Sequence, residues 1–240
     1  MTIKAVFFDA AGTLMRTRAK VGETYARIAA QHGKTVSPAD LAARFRVCFA
    51  AAPRLAFPGG AEESIRGLER HWWKDLVSEV FRPWAPFENF EAYFTELFDF
   101  FASHEAWVLY PEALDTLLEL KRRGLILDVI SNFDSRLIGI LAGLGVRPLF
   151  EHVFLSSRVG YAKPDVQIFH AALRQHGLEP AEALHVGDNE VCDLQGANQA
   201  GLRAVLIDRD REVNIFGPQR IDNLRAILRL LDDPSSGHLT

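Results

Sequence analysis

The sequence has 240 residues, of which 48% are hydrophobic, so it can bury one large core or two smaller ones. Its 27 basic and 31 acidic residues give a net charge of −4, which argues against a nucleic-acid-binding surface. The two cysteines, Cys48 and Cys192, are far apart, as is common in a reducing compartment. No run reaches the roughly 20 apolar residues of a membrane span, and Asp9 interrupts the apolar run that a secretory leader would need. We therefore expect a cytoplasmic protein without nucleic-acid or membrane partners.

The first half of the chain is predicted to be one strand followed by helices. The apolar run from Ile3 to Phe8 indicates a buried strand that ends at Asp9, and Gly12 indicates the turn that follows. Residues 14–20 have the character of a polar connector. Helical spacing and helix-ending residues then predict four helices and no strand, at 21–32, 37–52, 61–81 and 87–104.

The second half of the chain alternates between the two kinds of element. Strands are predicted at 125–130, 152–156, 183–186 and 203–207, and helices at 112–123, 135–144, 165–176, 190–200 and 223–231. This alternation is typical of a parallel sheet with helices on both faces. We therefore predict an α/β protein with a Rossmann-like three-layer core domain (residues 1–17 and 105–240) and an inserted all-helical cap domain (residues 18–104). The polar tail, 233–240, is predicted to fray.

Polar residues that can carry chemistry follow the ends of the predicted strands. They are, in chain order, Asp9, Ser131, Asn132, Lys163, Asp188 and Asp193. Taken alone, Asp9 would be equally well explained as the cap of a turn. Because parallel strands all end at the same edge of a sheet, however, we expect the whole set to surround one crevice.

These residue types suit phosphoryl chemistry. Three converging carboxylates repel one another and need a cation, and a site made of oxygen ligands suits Mg²⁺. A carboxylate beside Mg²⁺ can attack phosphorus while the metal neutralises the phosphoryl oxygens. Ser131 and Lys163 can donate hydrogen bonds to those oxygens, and so can Thr13.

Four segments resemble the motifs of the haloacid dehalogenase-like hydrolase superfamily. They are the loop from Asp9 to Thr13, the strand-end Ser131, the Lys163-Pro164 step and the G-D-x-x-x-x-D loop from Gly187 to Asp193. They occur in the superfamily's order and cover the whole chain. A closer resemblance, to the haloacid dehalogenase-like hydrolase domain-containing protein 3 group, is carried by residues 72–73, 129–134, 163–165 and 185–189.

The resemblance implies a role for each motif residue. Asp9 would be the nucleophile that forms an aspartyl-phosphate, and Ser131 and Lys163 would hold the phosphoryl group. Mg²⁺ would be bound by Asp9, by the backbone carbonyl of Ala11 and by Asp188, with Asp193 binding it through water or orienting Lys163. The substrate is expected to be a small phosphorylated metabolite. Apart from the resemblance, Thr13, Asn132 and Arg16 are candidates for contact with it, while Asn132 is equally well explained as a turn residue and Arg16 as part of a solvated basic linker. The protein is expected to be a monomer or a homodimer.

One position departs from the superfamily's pattern. Its phosphatases have a second aspartate, which serves as the general acid and base, at the position that Ala11 occupies here. Loss of such a group typically costs about 10²- to 10⁴-fold in rate. The prediction is therefore a slowed phosphohydrolase, and a non-catalytic protein that binds a phosphorylated ligand remains the alternative. A residue of the helical segment is a further source of the missing group, with Glu23, Glu62 and Glu63 as candidates.

Two other hydrolase types resemble this loop. Phosphonoacetaldehyde hydrolases also have alanine at this position and use a lysine of the cap, for which Lys20, Lys34 and Lys74 are candidates. Haloacid dehalogenases depart from the G-D-x-x-x-x-D pattern, which Asp188 and Asp193 preserve here.

Three remaining features are interpreted as structural. Asp134 is expected to cap the helix that follows it. The charged run from Asp208 to Arg211 is interpreted as a solvated loop. The eight histidines lack H-x-x-x-H spacing, which argues against a zinc site.

Overall fold

The first strand of the chain lies inside a six-stranded sheet. The computed structural model describes residues 2–209 and 220–232. Its strands are β1 (Ala5–Phe8), β2 (Met15–Thr17), β3 (Trp107–Leu109), β4 (Ile126–Ser131), β5 (Val153–Leu155), β6 (Ala183–Gly187), β7 (Arg203–Ile207) and β8 (Arg220–Ile221). The main sheet has the order β5-β4-β1-β6-β7-β8, and every neighbouring pair in it is parallel. The predicted parallel α/β core is confirmed.

Helices account for most of the remaining described residues. The helices are α1 (Val21–Gln31), α2 (Pro38–Ala51), α3 (Glu62–Phe81), α4 (Phe90–Ala102), α5 (Ala113–Arg122), α6 (Arg136–Gly143), α7 (Ser156–Val159), α8 (Val166–His176), α9 (Gly196–Gln199) and α10 (Ala226–Asp232). A π-helical stretch, Glu190–Gln195, leads directly into α9. Among the described residues, no helix combines the length and apolar character needed to cross a bilayer.

Successive side chains of a strand point to opposite faces of the sheet, so its apolar strands make both faces apolar, and helices cover both of them. In β1, Val6 and Phe8 belong to one hydrophobic core, together with residues of α5, α6 and α10. Phe7 points to the opposite face and belongs to a second core, which α8 and α9 complete. The result is three layers, with the chemistry-bearing edge of the sheet at the carboxyl ends of the strands.

Helices α1 to α4 form a third core, which includes Tyr25, Tyr93 and Phe94. They follow β2 and precede β3, which pair with each other in an antiparallel ribbon. The helical nature of this segment is confirmed, while the domain boundaries at residues 17/18 and 104/105 stay predictions.

The ribbon of β2 and β3 was not predicted from the sequence. Each strand has only three residues and alternates too briefly to produce a period-two signal. Strand β8 was not predicted either, because it has only two residues. The predicted fraying of the tail 233–240 falls outside the described residues, and so do Asp210 and Arg211.

Candidate active site

Asp9 follows β1 directly, at the edge of the sheet where the chemistry was predicted. Its backbone N–H donates to the carbonyl of Val186 at 2.9 Å, which extends the pairing of β1 with β6 by one residue. The chain then turns back, with the amides of Leu14 and Met15 both donating to the carbonyl of Ala10. The carboxyl of Asp9 is thereby fixed at the mouth of the crevice, only 7% exposed.

Gly12 is required by the geometry of this turn. Its φ of +88° lies in the left-handed region, which residues with a side chain rarely adopt. A Cβ at this position would also collide with the carboxylate of Asp188. The absence of a side chain at Gly12 therefore allows the first loop and the loop after β6 to approach each other.

Lys163 is the centre of the site. Its Nζ donates to Asp9 Oδ1 at 2.7 Å and to Asp193 Oδ1 at 2.5 Å, and its side chain is 2% exposed. Burial alone would lower the pKa of Lys163, but the charges of Asp193 and Asp9 raise it above its usual value. Ser131 Oγ donates to the same Asp9 oxygen at 3.0 Å. The second oxygen of Asp9 accepts no hydrogen bond from the described residues.

Asn132 fixes the backbone of Lys163. Its side-chain oxygen accepts from the Lys163 N–H at 2.7 Å, and its side-chain nitrogen donates to the Lys163 carbonyl at 2.9 Å. Both polar ends of the side chain are therefore occupied by Lys163. The predicted contact between Asn132 and substrate stays a prediction.

The loop after β6 positions Asp193. Asn189 caps the π-helical stretch by accepting from the amides of Val191 and Cys192, and its own N–H donates to Asp193 Oδ2 at 3.0 Å. The fully buried His185 contacts Asp193 Oδ1 at 2.9 Å, and burial lowers the pKa of this imidazole. Burial disfavours the ionised form of Asp193, but the charge of Lys163 holds its pKa well below the usual range. His185 was not recognised from sequence because it lies inside a strand, two residues before the motif.

Asp9, Asp188 and Asp193 each offer an oxygen atom within 4.8 Å of the others. With Lys163 they form what we call the Asp9 cluster, in which three carboxylates face one ammonium group. Burial and the charges of Asp9 and Asp193 raise the pKa of Asp188 to about 7. Burial also raises the pKa of Asp9, despite the opposing charge of Lys163. This surplus of negative charge and the all-oxygen ligand set fit a Mg²⁺ ion, whose charge would keep these carboxylates ionised.

The other predicted site residues are placed as follows. Ala11 is half-buried and bridges to Met15, and it presents only a methyl group. Thr13 is fully buried, and its hydroxyl has no hydrogen-bond partner among the described residues. Arg16 is exposed, with its guanidinium 3.4 Å from the carbonyl of Thr17. The structure thus gathers the motif residues at one point and places Arg16 on the β2 ribbon beside them.

Arg209 corrects the interpretation of the charged run after β7 as a solvated loop. Its guanidinium donates to the carbonyls of Gly12 (3.2 Å) and Thr13 (2.7 Å) and to Glu112 (2.7 Å). It also lies over the ring of Tyr110, with Cζ 3.4 Å from the ring centroid. Arg209 therefore fastens the turn that follows Asp9. Sequence reasoning missed it because its partners are backbone carbonyls nearly two hundred residues away.

Helix α3 is joined to the loop that follows β4. Glu69 is buried and accepts from Ser135 N (3.0 Å), Ser135 Oγ (2.8 Å) and Ser157 Oγ (2.6 Å). Trp73 Nε1 donates to Asp134 Oδ2 at 2.6 Å. Asp134 also accepts from the N–H of Arg136, in the first turn of α6, as its predicted capping role requires. Helix α3 is therefore held against the loop that begins just after Ser131.

The glutamates considered as substitutes for the missing acid lie on the surface. Glu23, Glu62 and Glu63 are exposed, and Glu62 forms an ion pair with Arg158. Among the described residues, the Asp9 carboxylate is hydrogen-bonded to Ser131 and Lys163 and to none of these glutamates.

The lysines considered for imine formation have other partners or lie in solvent. Lys34 donates to the carbonyl of Pro86 at 2.8 Å, Lys74 pairs with Glu91 at 2.6 Å, and Lys20 is exposed. Within residues 2–209 and 220–232, Asp9 receives hydrogen bonds from Ser131 and Lys163 and none from the glutamates or lysines considered above.

The chain resembles known proteins over most of its length. Residues 3–201 match the family model for haloacid dehalogenase-like hydrolase. Human haloacid dehalogenase-like hydrolase domain-containing protein 3 is 38% identical over 226 residues, covering 92% of this chain and 85% of that protein. A phosphoserine phosphatase from Thermus thermophilus is 43% identical over 111 residues, which cover 46% of this chain and 45% of that protein. The putative HAD-hydrolase YfnB from Bacillus subtilis, solved bound to magnesium, has a TM-score of 0.77 at 18% identity, covering 97% of this chain and 100% of that one.

Proposed function

This chain belongs to the haloacid dehalogenase-like hydrolases, and we propose that it is a Mg²⁺-dependent phosphohydrolase that acts slowly on a small phosphorylated metabolite. The family resemblance expected from its motifs is confirmed. The observation that carries the proposal is the position of Lys163, which bridges Asp9 and Asp193 in a buried site that also contains Ser131.

Asp9 is the nucleophile in this proposal. Lys163 and Ser131 both donate to Oδ1, which leaves Oδ2 free to attack. Oδ2 forms a bond to phosphorus as the bond from phosphorus to the ester oxygen breaks, which gives an aspartyl-phosphate and an alkoxide that takes a proton from water. A water molecule then attacks phosphorus, and inorganic phosphate leaves as the Asp9 carboxylate is restored.

Asp9, Asp188 and the carbonyl of Ala11 would hold Mg²⁺, which supplies charge neutralisation to the phosphoryl oxygens when bound. Asp193 keeps Lys163 oriented, because the two side chains are 2.5 Å apart and both are buried. Lys163 and Ser131 are the protein donors nearest to the attacking carboxylate, and they orient it before substrate arrives.

Ala11 determines the expected rate. A methyl group at this position neither protonates the leaving group nor activates water, and such a loss costs about 10²- to 10⁴-fold. The second step suffers most, since water is a poor nucleophile without a base. We therefore expect the aspartyl-phosphate to accumulate.

The partial similarity to a phosphoserine phosphatase supports a phosphate ester as the substrate class. A non-catalytic role in binding a phosphorylated ligand is the second candidate, and the methyl side chain of Ala11 is the observation that favours it. The exposure of Lys20 and the existing partners of Lys34 and Lys74 give no support to a reaction through a lysine imine.

The test is hydrolysis of an activated phosphomonoester with and without Mg²⁺. We expect a rapid release of the alcohol in the first turnover, then slow turnover, and a phosphorylated protein in the intact mass spectrum. Asp9→Asn should reduce both signals to background, because an amide is a poor nucleophile.

His170→Ala, at a half-buried position of α8, is the control and should retain the first turnover. An active Asp9→Asn protein would contradict the assignment of the nucleophile. A wild-type protein that binds phosphate but forms no aspartyl-phosphate would favour the binding role instead.

A further inference from the structure

A second group of potential ligands lies on the face of the sheet that α8 covers. Asp128 is in the middle of β4 and is completely buried. Its register partner is Phe7 of β1, which faces the same core as α8. Asp128 precedes Ser131 by three residues, so it lies roughly 10 Å along the strand from the edge that holds the Asp9 cluster.

Two histidines from other elements converge on Asp128. His176, in the last turn of α8, places Nε2 2.6 Å from Asp128 Oδ2, and its ring stacks on Phe7. His152, just before β5, donates its backbone N–H to Asp128 Oδ1 at 2.7 Å. Its ring Nδ1 is 3.8 Å from the same oxygen. The two imidazole rings lie 5.2 Å apart, centroid to centroid.

The Nδ1 atom of His152 is buried without a hydrogen-bond partner, among the described residues, that would account for its position. It is shielded from solvent and faces the carboxylate. A buried ring nitrogen without a partner is costly, and such a position in a folded protein calls for a ligand or an ion.

We propose that Asp128, His152 and His176, which we call the Asp128 cluster, bind a Zn²⁺ ion. Each residue offers one ligand atom, and the three atoms lie within 4.8 Å of one another. Tetrahedral zinc, with bonds of about 2.0–2.2 Å, places its ligand atoms about 3.4 Å apart. The hydrogen bond between Asp128 and His176 needs to open by less than 1 Å to reach that spacing, which small side-chain rotations allow.

The donor chemistry selects the ion. Two imidazoles and one carboxylate suit zinc and similar transition metals, whereas Mg²⁺ prefers oxygen ligands in octahedral geometry. The backbone N–H of His152 would remain on Asp128 Oδ1 and orient the carboxylate, as outer hydrogen bonds commonly do at zinc sites.

Solvent has access to one side of this cluster. The side chain of His152 is 42% exposed, whereas those of His176 and Asp128 are 7% and 0% exposed. An ion can therefore enter past His152, and water can supply the fourth ligand. The three protein ligands come from β4, from the segment before the edge strand β5 and from the end of α8. The bound ion would tie these three elements together.

The test uses the whole 240-residue chain, from which metal has first been removed. Excess Mg²⁺ is then added, so that the Asp9 cluster is occupied before zinc is titrated. Titration with Zn²⁺ against a chromophoric chelator should give a single strong site in each chain. His152→Ala should weaken zinc binding by at least about tenfold, since even outer-sphere partners of a metal are worth 10- to 100-fold. His176→Gln is the second ligand variant, and circular dichroism checks that both remain folded.

His170→Ala is the matched control, because His170 lies on the same helix but outside the cluster. We expect it to bind zinc like the wild type. Asp188→Asn should also bind zinc like the wild type. Absence of strong zinc binding would overturn the proposal, and so would equal affinity in the wild type and His152→Ala. A loss of zinc in Asp188→Asn but not in His152→Ala would assign the ion to the Asp9 cluster instead.

Discussion

The Asp9 cluster and the Asp128 cluster are two groups of three potential ligands on one sheet, and they differ in what surrounds the carboxylates. At the first, three carboxylates share one buried lysine, so negative charge remains in excess. At the second, one carboxylate faces two imidazoles, so nitrogen ligands outnumber the carboxylate. The comparison teaches that the partners of a buried aspartate, more than its burial, decide which cation it attracts.

The two clusters also differ in their position along the strands. The Asp9 cluster lies beyond the carboxyl ends of β1, β4 and β6, the edge at which parallel sheets commonly bind ligands. The Asp128 cluster lies on the face of β4 that α8 covers. The first position suits catalysis and the second suits a structural role.

Ala11→Asp has the largest expected effect, and it tests whether the Asp9 cluster can hydrolyse a phosphomonoester once an acid and base is present. The new carboxyl group supplies the missing acid and base, so steady-state phosphomonoester turnover should rise by about 10²- to 10⁴-fold. The measurement is turnover at saturating Mg²⁺. Ala11→Asn, of the same size but unable to transfer protons, should remain as slow as the wild type. A similar gain in both variants would attribute the effect to packing.

Lys163→Met tests whether the single lysine balances the carboxylates. It leaves the buried carboxylates of Asp9 and Asp193 without a fixed cation, and removal of one partner of a buried ion pair costs about 3–5 kcal/mol. Urea unfolding without metal should show this loss, and Mg²⁺ should restore part of it. Phosphate binding should weaken as well. Lys34→Met, at a lysine that donates only to the carbonyl of Pro86, should unfold like the wild type.

Asp188→Asn separates the two clusters by their ions. The Mg²⁺ concentration that gives half-maximal turnover should rise by about 10- to 100-fold, because one ligand oxygen becomes an amide. The affinity for Zn²⁺, measured on the same preparation, should not change. If both affinities fell together, the two clusters would not be independent.

Arg209→Lys has the smallest expected effect, because it alters support for the first loop rather than a reacting group. Lysine cannot reproduce the three hydrogen bonds to Gly12, Thr13 and Glu112, so kcat should fall about tenfold with little change in KM. Arg225→Lys, at an exposed ion pair with Asp115, is the control and should keep the wild-type kcat. A larger change in KM than in kcat would place Arg209 in contact with substrate.

Much of the candidate active site could be predicted from the sequence, because the order of parallel strands determines which residues meet at the edge of the sheet. Once five apolar runs were assigned to parallel strands, Asp9, Ser131 and Asp188 had to meet at one edge. The position of Lys163 followed less directly, from its place at the start of a helix. The helical segment was equally clear, since its periodicity extends over four helices.

Contacts between residues distant in the sequence could not be predicted in this way. Arg209 contacts backbone carbonyls, which leave no mark on the residue types of their own loop. His152 and His176 lie 24 and 48 residues from Asp128, so no local spacing joins them. Only the register of β4 with its neighbours, and the length of α8 as it runs back along the sheet, bring them together.

Asn132 connects the segment that contains Ser131 to the segment that contains Lys163. Its amide offers the backbone of Lys163 one donor and one acceptor, as a neighbouring strand would in a β-ladder. Ser131 and Lys163 therefore reach the same oxygen of Asp9 with their relative offset set by one side chain. An aspartate at this position would offer two acceptors and no donor, so the carbonyl of Lys163 would lose its partner while the charge of the lysine stayed in place. The amide of Asn132 thus sets the relative position of Ser131 and Lys163, whereas the charges of the site come from other side chains.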